Sequence, residues 1–295
     1  MQKIVFGIRE SRLARAQLDE FIERLIKNGT DMEYEIKTVK TKGDKDRVSP
    51  IEELGQGIFI KEIEQELISG NIDCAVHSLK DMPVKITQGT VLACMPPRAD
   101  ERDCLVSREG IDAGNLKKSR IAAGSPRRCA FILEEAPDIE TLPLRGNVDT
   151  RLNKLRQGRF DAVVLASCGL KRLGYERRIS RYFDSDTFVP AGGQGAICGQ
   201  VRQGDTELYK ALSNVSCRDT ELSCMSERRV LEELGIGCRM AFGVFARFRE
   251  NTFIITAKAY IEETGSYVYC RHSGPGEEYG RLTDEVIGEL KDRLN

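Results

Sequence analysis

The first 210 residues alternate between short apolar segments and amphipathic segments with helical spacing. Residues 3–8 are typical of a strand, and the helix predicted over 12–27 places Leu18, Phe21 and Leu25 on one face. Further apolar segments, each followed by a polar turn, predict strands at 33–41, 72–77, 120–123, 140–144 and 160–166. Alternation of this kind predicts α/β lobes, in which helices cover both faces of parallel or mixed sheets.

The pattern changes in the C-terminal part of the chain. A helix predicted near 217–234 precedes a glycine-flanked loop, three strands near 241–249, 252–261 and 266–272, and a helix near 277–293. We therefore predict two α/β lobes and a small α+β domain. The first lobe comprises 1–95 and 193–212, the second 96–192 and the third domain 213–295, and the chain returns to the first lobe through a glycine-rich segment at 190–195.

Polar and cationic residues follow the predicted strands. Because ligands of open α/β sheets bind beyond the carboxyl ends of the strands, these side chains are candidates for one site. Between residues 117 and 181 there are 15 Lys+Arg and 7 Asp+Glu, although the net charge of the chain is only −1. The candidates are Arg9, Ser11, Lys80, Asp81, Ser125, Arg127, Arg128, Arg145, Asn147, Arg151, Lys171 and Arg172.

This basic cleft predicts a small ligand with several carboxylates or phosphates. Nucleic acid is not indicated, since Phe131, Phe160 and Tyr175 are the only aromatic residues in the basic stretch and follow no stacking motif. Any one arginine taken alone is better explained as a solvated surface charge, but cations at five separate strand ends favour a common site. A non-catalytic module that binds a small anion between two lobes is the alternative to an enzyme, and no obligate protein partner is evident.

The cysteines do not indicate a metal site. None of the ten lies two to four residues from another, and only two histidines are present, whereas structural zinc sites need close ligand spacing. The longest uncharged apolar stretch, 162–170, is far shorter than the ~18 residues of a membrane span. With no export signal recognised, we expect a cytoplasmic protein with reduced thiols, no bound metal and no membrane contact.

Eight segments, in the same order along the chain, resemble the porphobilinogen deaminase (hydroxymethylbilane synthase) family. The run Ala75-Val76-His77-Ser78-Leu79-Lys80-Asp81-Met82-Pro83 is nearly specific to it alone. The other segments are residues 8–17, 41–44, 57–62, 124–128, 144–148, 169–174 and 190–196. The resemblance covers the chain from residue 3 to the C-terminal cysteine loop.

The resemblance implies a monomeric transferase of tetrapyrrole (heme) biosynthesis, with lobes similar to type II periplasmic solute-binding proteins. It implies that four porphobilinogen molecules are joined head to tail into hydroxymethylbilane, with release of ammonia, on a covalent dipyrromethane cofactor. By its position in Gly235-Ile236-Gly237-Cys238, the cysteine that carries the cofactor is Cys238. From the residues alone, Cys238 is a better tether than a core thiol because it lies in a glycine-flanked loop between a helix and a strand, but the residues do not single it out.

The resemblance also assigns roles to the strand-end residues. Asp81 stabilises the positive charge that develops on the pyrrole as ammonia leaves, although it is also a candidate ion-pair partner for Lys80. The cofactor is held by Lys80, Asp81, Ser125, Arg127, Arg128 and Asn147. The substrate and the growing chain face Arg9, Ser11, Gln17, Phe59, Arg145, Arg151, Arg172 and Gln194.

The chain departs from the family pattern at two places. Gln56 stands where the family commonly has a lysine, so no catalytic lysine is assigned there. Ala123 and Gly124 stand where many relatives have hydroxyl residues before the Arg-Arg pair. Backbone N–H groups at the start of the following helix can substitute for the missing hydroxyls.

Overall fold

The computed structural model describes residues 3–30, 32–41, 57, 60–236 and 240–294. Its helices are α1 (Arg12–Lys27), α2 (Lys61–Ile68), α3 (Pro126–Glu135), α4 (Val148–Arg156), α5 (Ser167–Arg172), α6 (Thr206–Ser213), α7 (Arg218–Glu233) and α8 (Tyr279–Leu294). Its strands are β1 (Ile4–Arg9), β2 (Tyr34–Val39), β3 (Cys74–Ser78), β4 (Thr90–Cys94), β5 (Asp103–Ser107), β6 (Arg120–Ala123), β7 (Glu140–Pro143), β8 (Ala162–Ala166), β9 (Arg181–Tyr182), β10 (Ile197–Arg202), β11 (Ala241–Arg249), β12 (Thr252–Ile261) and β13 (Ser266–Pro275).

The chain divides into two compact units. The first unit comprises 1–99 and 195–222, and the second comprises 100–194 and 223–295. The second unit thus combines the predicted second lobe with most of the predicted C-terminal domain. The division of the chain into three domains stays a prediction.

The first unit is built on a five-stranded sheet in the order β2-β1-β3-β10-β4. β1 pairs in parallel with β2 and β3, whereas β10 is antiparallel to both of its neighbours. The apolar stripe of α1, which contains Leu18 and Phe21, packs against Phe6 on one face, and α2 covers the other face with Ile63 and Leu67. The parallel pairing brings the carboxyl ends of β1 and β3 to the same edge.

The second unit contains a sheet with the same pattern, in the order β7-β6-β8-β5-β9. β6 pairs in parallel with β7 and β8, and β5 is antiparallel to β8 and β9. Phe131 of α3 is buried on one face, and Leu155 of α4 and Leu170 of α5 are buried on the other. In each sheet the fourth strand is antiparallel to two strands that are distant from it in sequence.

A three-stranded antiparallel sheet, β11-β12-β13, forms the C-terminal part of the second unit. Leu282, Val286 and Leu290 of α8 pack on one of its faces, while Phe245 belongs to the same core as Phe131. The predicted α/β class, with two lobes and a small α+β C-terminal part, is confirmed. None of the described helices combines the length and the apolar character that a membrane crossing requires.

Candidate functional site

Two predicted site residues lie at the carboxyl end of β3 in the first unit. Lys80 and Asp81 are exposed on a single 3₁₀ turn, Leu79–Asp81, whose first residue is buried. The Leu79 N–H donates to the Ala196 carbonyl at 3.0 Å, which fixes the turn against the start of β10. Arg9 is the last residue of β1. Because β1 is parallel to β3, Arg9 lies at the same edge of the sheet as this turn. The first unit therefore presents the cations Arg9 and Lys80 and the exposed carboxylate of Asp81 along a single sheet edge.

Ser11 and Gln17 support that edge from α1. The Ser11 hydroxyl caps α1 by accepting the Ala14 N–H at 3.0 Å, and its own proton stays available to a carboxylate. Gln17 is only 6% exposed, and its Nε2 donates to the Ser78 hydroxyl at 2.6 Å. Gln17 thus ties α1 to the residue that precedes the turn bearing Asp81. Its predicted contact with substrate stays a prediction.

In the second unit, two of the predicted polar residues are helix caps. Ser125 accepts the Arg128 N–H at 3.4 Å and precedes Pro126 at the first position of α3. Asn147 accepts the Thr150 N–H at 2.9 Å at the start of α4. Both caps are explained by helix formation alone. Their predicted cofactor contacts stay predictions, and the Ser125 hydroxyl proton is available to donate.

Arg127 and Arg128 are buried and share one carboxylate. Arg127 Nη2 lies 2.7 Å from Asp103 Oδ2, and Arg128 Nη2 lies 2.7 Å from Asp103 Oδ1. Arg127 also donates to the Val189 carbonyl at 2.8 Å. Burial by itself would raise the pKa of Asp103, but the two guanidinium charges and their hydrogen bonds hold it below its usual range. Two cations balanced by one anion leave one positive charge in this buried group.

Gln194 belongs to the same group of side chains. It is fully buried, and its Nε2 donates to the Glu101 carbonyl at 2.7 Å and to Asp103 Oδ1 at 3.1 Å. Its Oε1 accepts from Arg128 Nη2 at 3.3 Å. Gln194 therefore links the arginines to the segment before β5. Its predicted proximity to the growing chain stays a prediction.

Arg145 and Arg151 follow β7, at the edge of the second unit's sheet where the parallel strands β6 and β7 end. Arg145 Nη2 is buried and has no hydrogen-bond partner among the residues that the structure describes. Arg151 Nε donates to the Gly146 carbonyl at 2.7 Å, which holds the guanidinium beside the loop between β7 and α4. A buried donor without an acceptor is costly unless a ligand supplies one. This edge is therefore suited to an anionic ligand.

The two cations at the end of α5 differ in their surroundings. Lys171 lies 2.8 Å from Asp100 and 3.3 Å from Glu176, so its charge is already balanced within the unit. The hydrogen bond that Lys171 donates to Asp100 is the largest cause of the raised pKa of Lys171. Arg172 is half-buried next to it, and its predicted contact with the substrate stays a prediction.

Asp103 is central to the buried group and was not predicted from the sequence. The residue lies 25 positions before Arg128 and begins a strand that the apolar pattern did not predict. Phe59, Cys238 and Gln56 lie outside the described residues. Within the described part of the chain, no group of three or more His, Cys, Asp or Glu side chains is arranged to hold a metal ion.

The chain is similar in sequence to proteins of one family. The family model described as "Porphobilinogen deaminase, dipyromethane cofactor binding domain" matches residues 4–210. The chain is 38% identical to the porphobilinogen deaminase of Geobacillus sp. (strain WCH70), with 100% of this chain and 99% of that protein covered. It is 40% identical to a probable porphobilinogen deaminase of Methanopyrus kandleri, with coverage of 92% and 91%. Among solved structures, a periplasmic binding protein of Salmonella typhimurium is similar at 11% identity and a TM-score of 0.42, with 73% of this chain and 92% of that chain covered.

Proposed function

The chain belongs to the porphobilinogen deaminase family, and from that membership we propose that it joins four porphobilinogen molecules into the linear tetrapyrrole hydroxymethylbilane, releasing one ammonia for each. Every pyrrole of the substrate and product carries an acetate and a propionate. A polymerising site must therefore hold a growing number of carboxylates. The match to the family favours this reaction over a non-catalytic anion-binding module.

The observation that carries the proposal is the buried group of Arg127, Arg128 and Asp103. It contains one more positive than negative charge, with ion-pair distances of 2.7 Å. A cation that is already desolvated loses little on binding a carboxylate, and each such contact contributes about 1.5–3 kcal/mol. The same contact on an exposed surface contributes only about 0–1 kcal/mol. The excess charge fits a ligand whose side chains are carboxylates.

The charge of this buried group also fits the covalent dipyrromethane cofactor of the family. Its two pyrroles bring four carboxylates. The excess charge beside Ser125 suits such a group, as does the buried Nη2 of Arg145, which has no partner among the described residues. When bound, this cofactor supplies the primer to which substrate pyrroles are added. We propose that Lys80, Ser125, Arg127 and Arg128 hold its carboxylates and that Cys238 carries it by a thioether.

We propose that Asp81 is the catalytic residue. As porphobilinogen loses ammonia, positive charge spreads onto the pyrrole nitrogen. A carboxylate that accepts the pyrrole N–H stabilises that charge as it develops, and fixed groups of this kind contribute roughly 3–4 kcal/mol to related reactions. The exposed position of Asp81, on a turn held by Leu79, leaves its carboxylate accessible to substrate.

Mass spectrometry of the intact protein tests this proposal. The purified chain should exceed its sequence mass by two linked pyrroles, and Cys238→Ser should remove the excess. Cys217→Ser is the matched control, because this half-buried thiol should leave the excess in place. Asp81→Ala should retain the added mass but form hydroxymethylbilane about 100-fold more slowly or worse. An active chain at its unmodified mass, or an Asp81→Ala variant with near-normal turnover, contradicts the respective assignment.

A further inference from the structure

β11 is the outer strand of the C-terminal sheet, so alternate N–H groups along it point away from β12. Two of these groups donate outside the sheet. The Val244 N–H donates to the Pro190 carbonyl at 2.9 Å, and the Ala246 N–H donates to Glu227 Oε1 of α7 at 2.8 Å. Buried main-chain donors at a strand edge need acceptors of this kind. They are supplied here by α7 and by residues 189–194, which we call the crossing segment.

Glu227 joins the crossing segment to the edge of β11. Its side chain is fully buried, and its Oε2 accepts the N–H of the buried Gly193 at 2.6 Å, while Oε1 accepts from Ala246. Gly193 lies within a turn that is closed by the Gln194 N–H, which donates to the Ala191 carbonyl at 2.9 Å. Hydrogen bonds to an ionised carboxylate are stronger than those between neutral groups. Glu227 therefore fixes this turn relative to β11.

The main chain of the crossing segment also lies in direct contact with β11. A β-carbon built on Gly243 would lie 2.3 Å from the Val189 carbonyl oxygen and 3.0 Å from that of Pro190. Both distances are well below ordinary contacts of about 3.5–4.0 Å, and main-chain atoms cannot turn aside as the end of a side chain can. Gly243 is not among the glycines with positive φ, so this close approach is what requires a glycine there.

Both buried arginines of α3 contact the opposite side of this connection. Arg127 Nη1 donates to the Val189 carbonyl at 2.8 Å, at the start of the crossing segment. Arg128 Nη2 lies 3.3 Å from Gln194 Oε1, at its end, and Gln194 also donates to the Asp103 carboxylate. The crossing segment therefore takes part in setting the geometry of the two guanidinium groups.

We propose that Glu227 is a positioning residue for carboxylate recognition by Arg127 and Arg128, which acts by anchoring the crossing segment to β11. The ligand class is the acetate and propionate groups of the two-pyrrole cofactor, so this inference rests on the proposed function. Glu227 is fully buried, and its negative charge would repel such groups. It therefore acts through Gln194, by holding the turn that presents this side chain to Arg128.

Glu227→Gln tests this role with little change in shape. The amide keeps one acceptor oxygen but places a donor against the second main-chain N–H, so the crossing segment should shift. The fraction of chains with the two-pyrrole mass should fall about threefold or more, and the loaded chains should show a KM for porphobilinogen about tenfold higher, as for one lost charge-assisted hydrogen bond. Their kcat should stay within about twofold of the wild type, because binding and not chemistry is changed. A merely structural role would lower stability without this split between KM and kcat.

A double-mutant cycle tests whether Glu227 acts through Gln194. Gln194→Met removes the polar contact with Arg128 at similar side-chain length and should give the same losses. The double variant should be no worse than Gln194→Met alone, since both changes act on one contact. Asp161→Asn is the matched control, because Asp161 also accepts a main-chain N–H, that of Arg120 at 2.8 Å, but at the amino end of β6. It should keep the wild-type loaded fraction and KM.

Wild-type loading and KM in Glu227→Gln, or single effects that multiply in the double variant, overturn the proposal. Equal losses in Asp161→Asn overturn it as well, because any missing carboxylate would then have the same effect. If Glu227→Gln does not fold, Gln194→Met decides: a lower loaded fraction with a raised KM supports the proposal, and wild-type values overturn it. The added mass of the wild-type chain and its formation of hydroxymethylbilane test the proposed function separately.

Discussion

At the scale of single residues, the shared carboxylate of Asp103 determines whether two arginines can stay buried. Removing one partner of a buried ionic group leaves the other charges without compensation, which costs about 3–5 kcal/mol. We therefore expect Asp103→Asn to lower the free energy of unfolding by about that amount, because Arg127 and Arg128 would face each other with no anion between them. Urea unfolding at pH 7 measures the difference.

An exposed carboxylate provides the control for Asp103. Asp19 is 53% exposed and pairs with Arg15 at 2.8 Å, so Asp19→Asn should change the free energy of unfolding by less than about 1 kcal/mol. The sign of the pH dependence follows from the lowered pKa of Asp103. The carboxylate adds stability above its unfolded pKa of about 3.9, and this is lost as the pH falls through the folded value. A cost at pH 7 no larger than that of Asp19→Asn would show that the carboxylate is not needed.

Residue identity and strand position predicted which cations follow the strands, but not which side chains they contact. Ser125 before Pro126 marks the start of α3, so Arg127 and Arg128 fall in its first turn. Asp103 and Gln194 reach Arg128 through tertiary contacts over 25 and 66 positions. No local sequence signal reports contacts of that separation, and the charge excess of residues 117–181 therefore overstated how many cations are free of protein partners.

At the scale of elements, a buried polar network joins β3, β10, α2 and β4 in the first unit. His77 Nε2 lies 3.1 Å from Gln200 Oε1, and Gln200 Nε2 donates to Glu64 and to the Thr90 hydroxyl, both at 2.8 Å. Burial lowers the pKa of His77 to about 4. The imidazole is therefore neutral in the folded protein at neutral pH, one residue before the Ser78 that Gln17 contacts.

His77 contributes a pH-dependent part of the stability of this network. Unfolded histidine takes up a proton near pH 6.5, whereas folded His77 does so only near 4, so the stability it adds above pH 6.5 is lost as the pH falls. The loss amounts to about 3 kcal/mol between those values. His77→Gln keeps an N–H donor without a titrating group. The difference in unfolding free energy between wild type and His77→Gln should therefore shrink by that amount between pH 6.5 and 4, and a difference that is constant with pH contradicts the neutral assignment.

Local patterns predicted some elements closely and missed others for a physical reason. The helix predicted over 12–27 coincides with α1, because its cap and its apolar stripe lie within one segment. β5 and β10 were not predicted, although each is the fourth strand of a five-stranded sheet. Both enter antiparallel to strands that are distant in sequence, and their pairing partners decide their conformation more than their own residues do.

At the scale of the whole molecule, the cysteines show how one thiol can be selected for covalent attachment. Nine of the cysteines lie among the described residues, and seven of these nine are buried. Burial is the largest cause that raises the pKa of Cys94, Cys104 and Cys270 to about 12, and it raises that of Cys74 well above its usual value. Because the thiolate is the reactive form, these side chains are doubly protected, by lack of access and by lack of charge.

This protection predicts a defined alkylation pattern for the cofactor-bearing protein. At pH 8 the native chain should react with iodoacetamide at Cys129 and Cys217, the two half-buried thiols, and the seven buried ones should react only after denaturation. Cys238 should stay unlabelled even in the denatured chain, because a thioether has no thiol to alkylate. Peptide mapping of the denatured chain should therefore find nine labelled cysteines of the ten in the sequence.

A double variant, Cys129→Ser with Cys217→Ser, should lose the fast labelling and keep the added two-pyrrole mass. Ten labelled cysteines in denatured, active protein would falsify attachment at Cys238, whereas fast native labelling of Cys74 or Cys104 would contradict the burial of the core thiols.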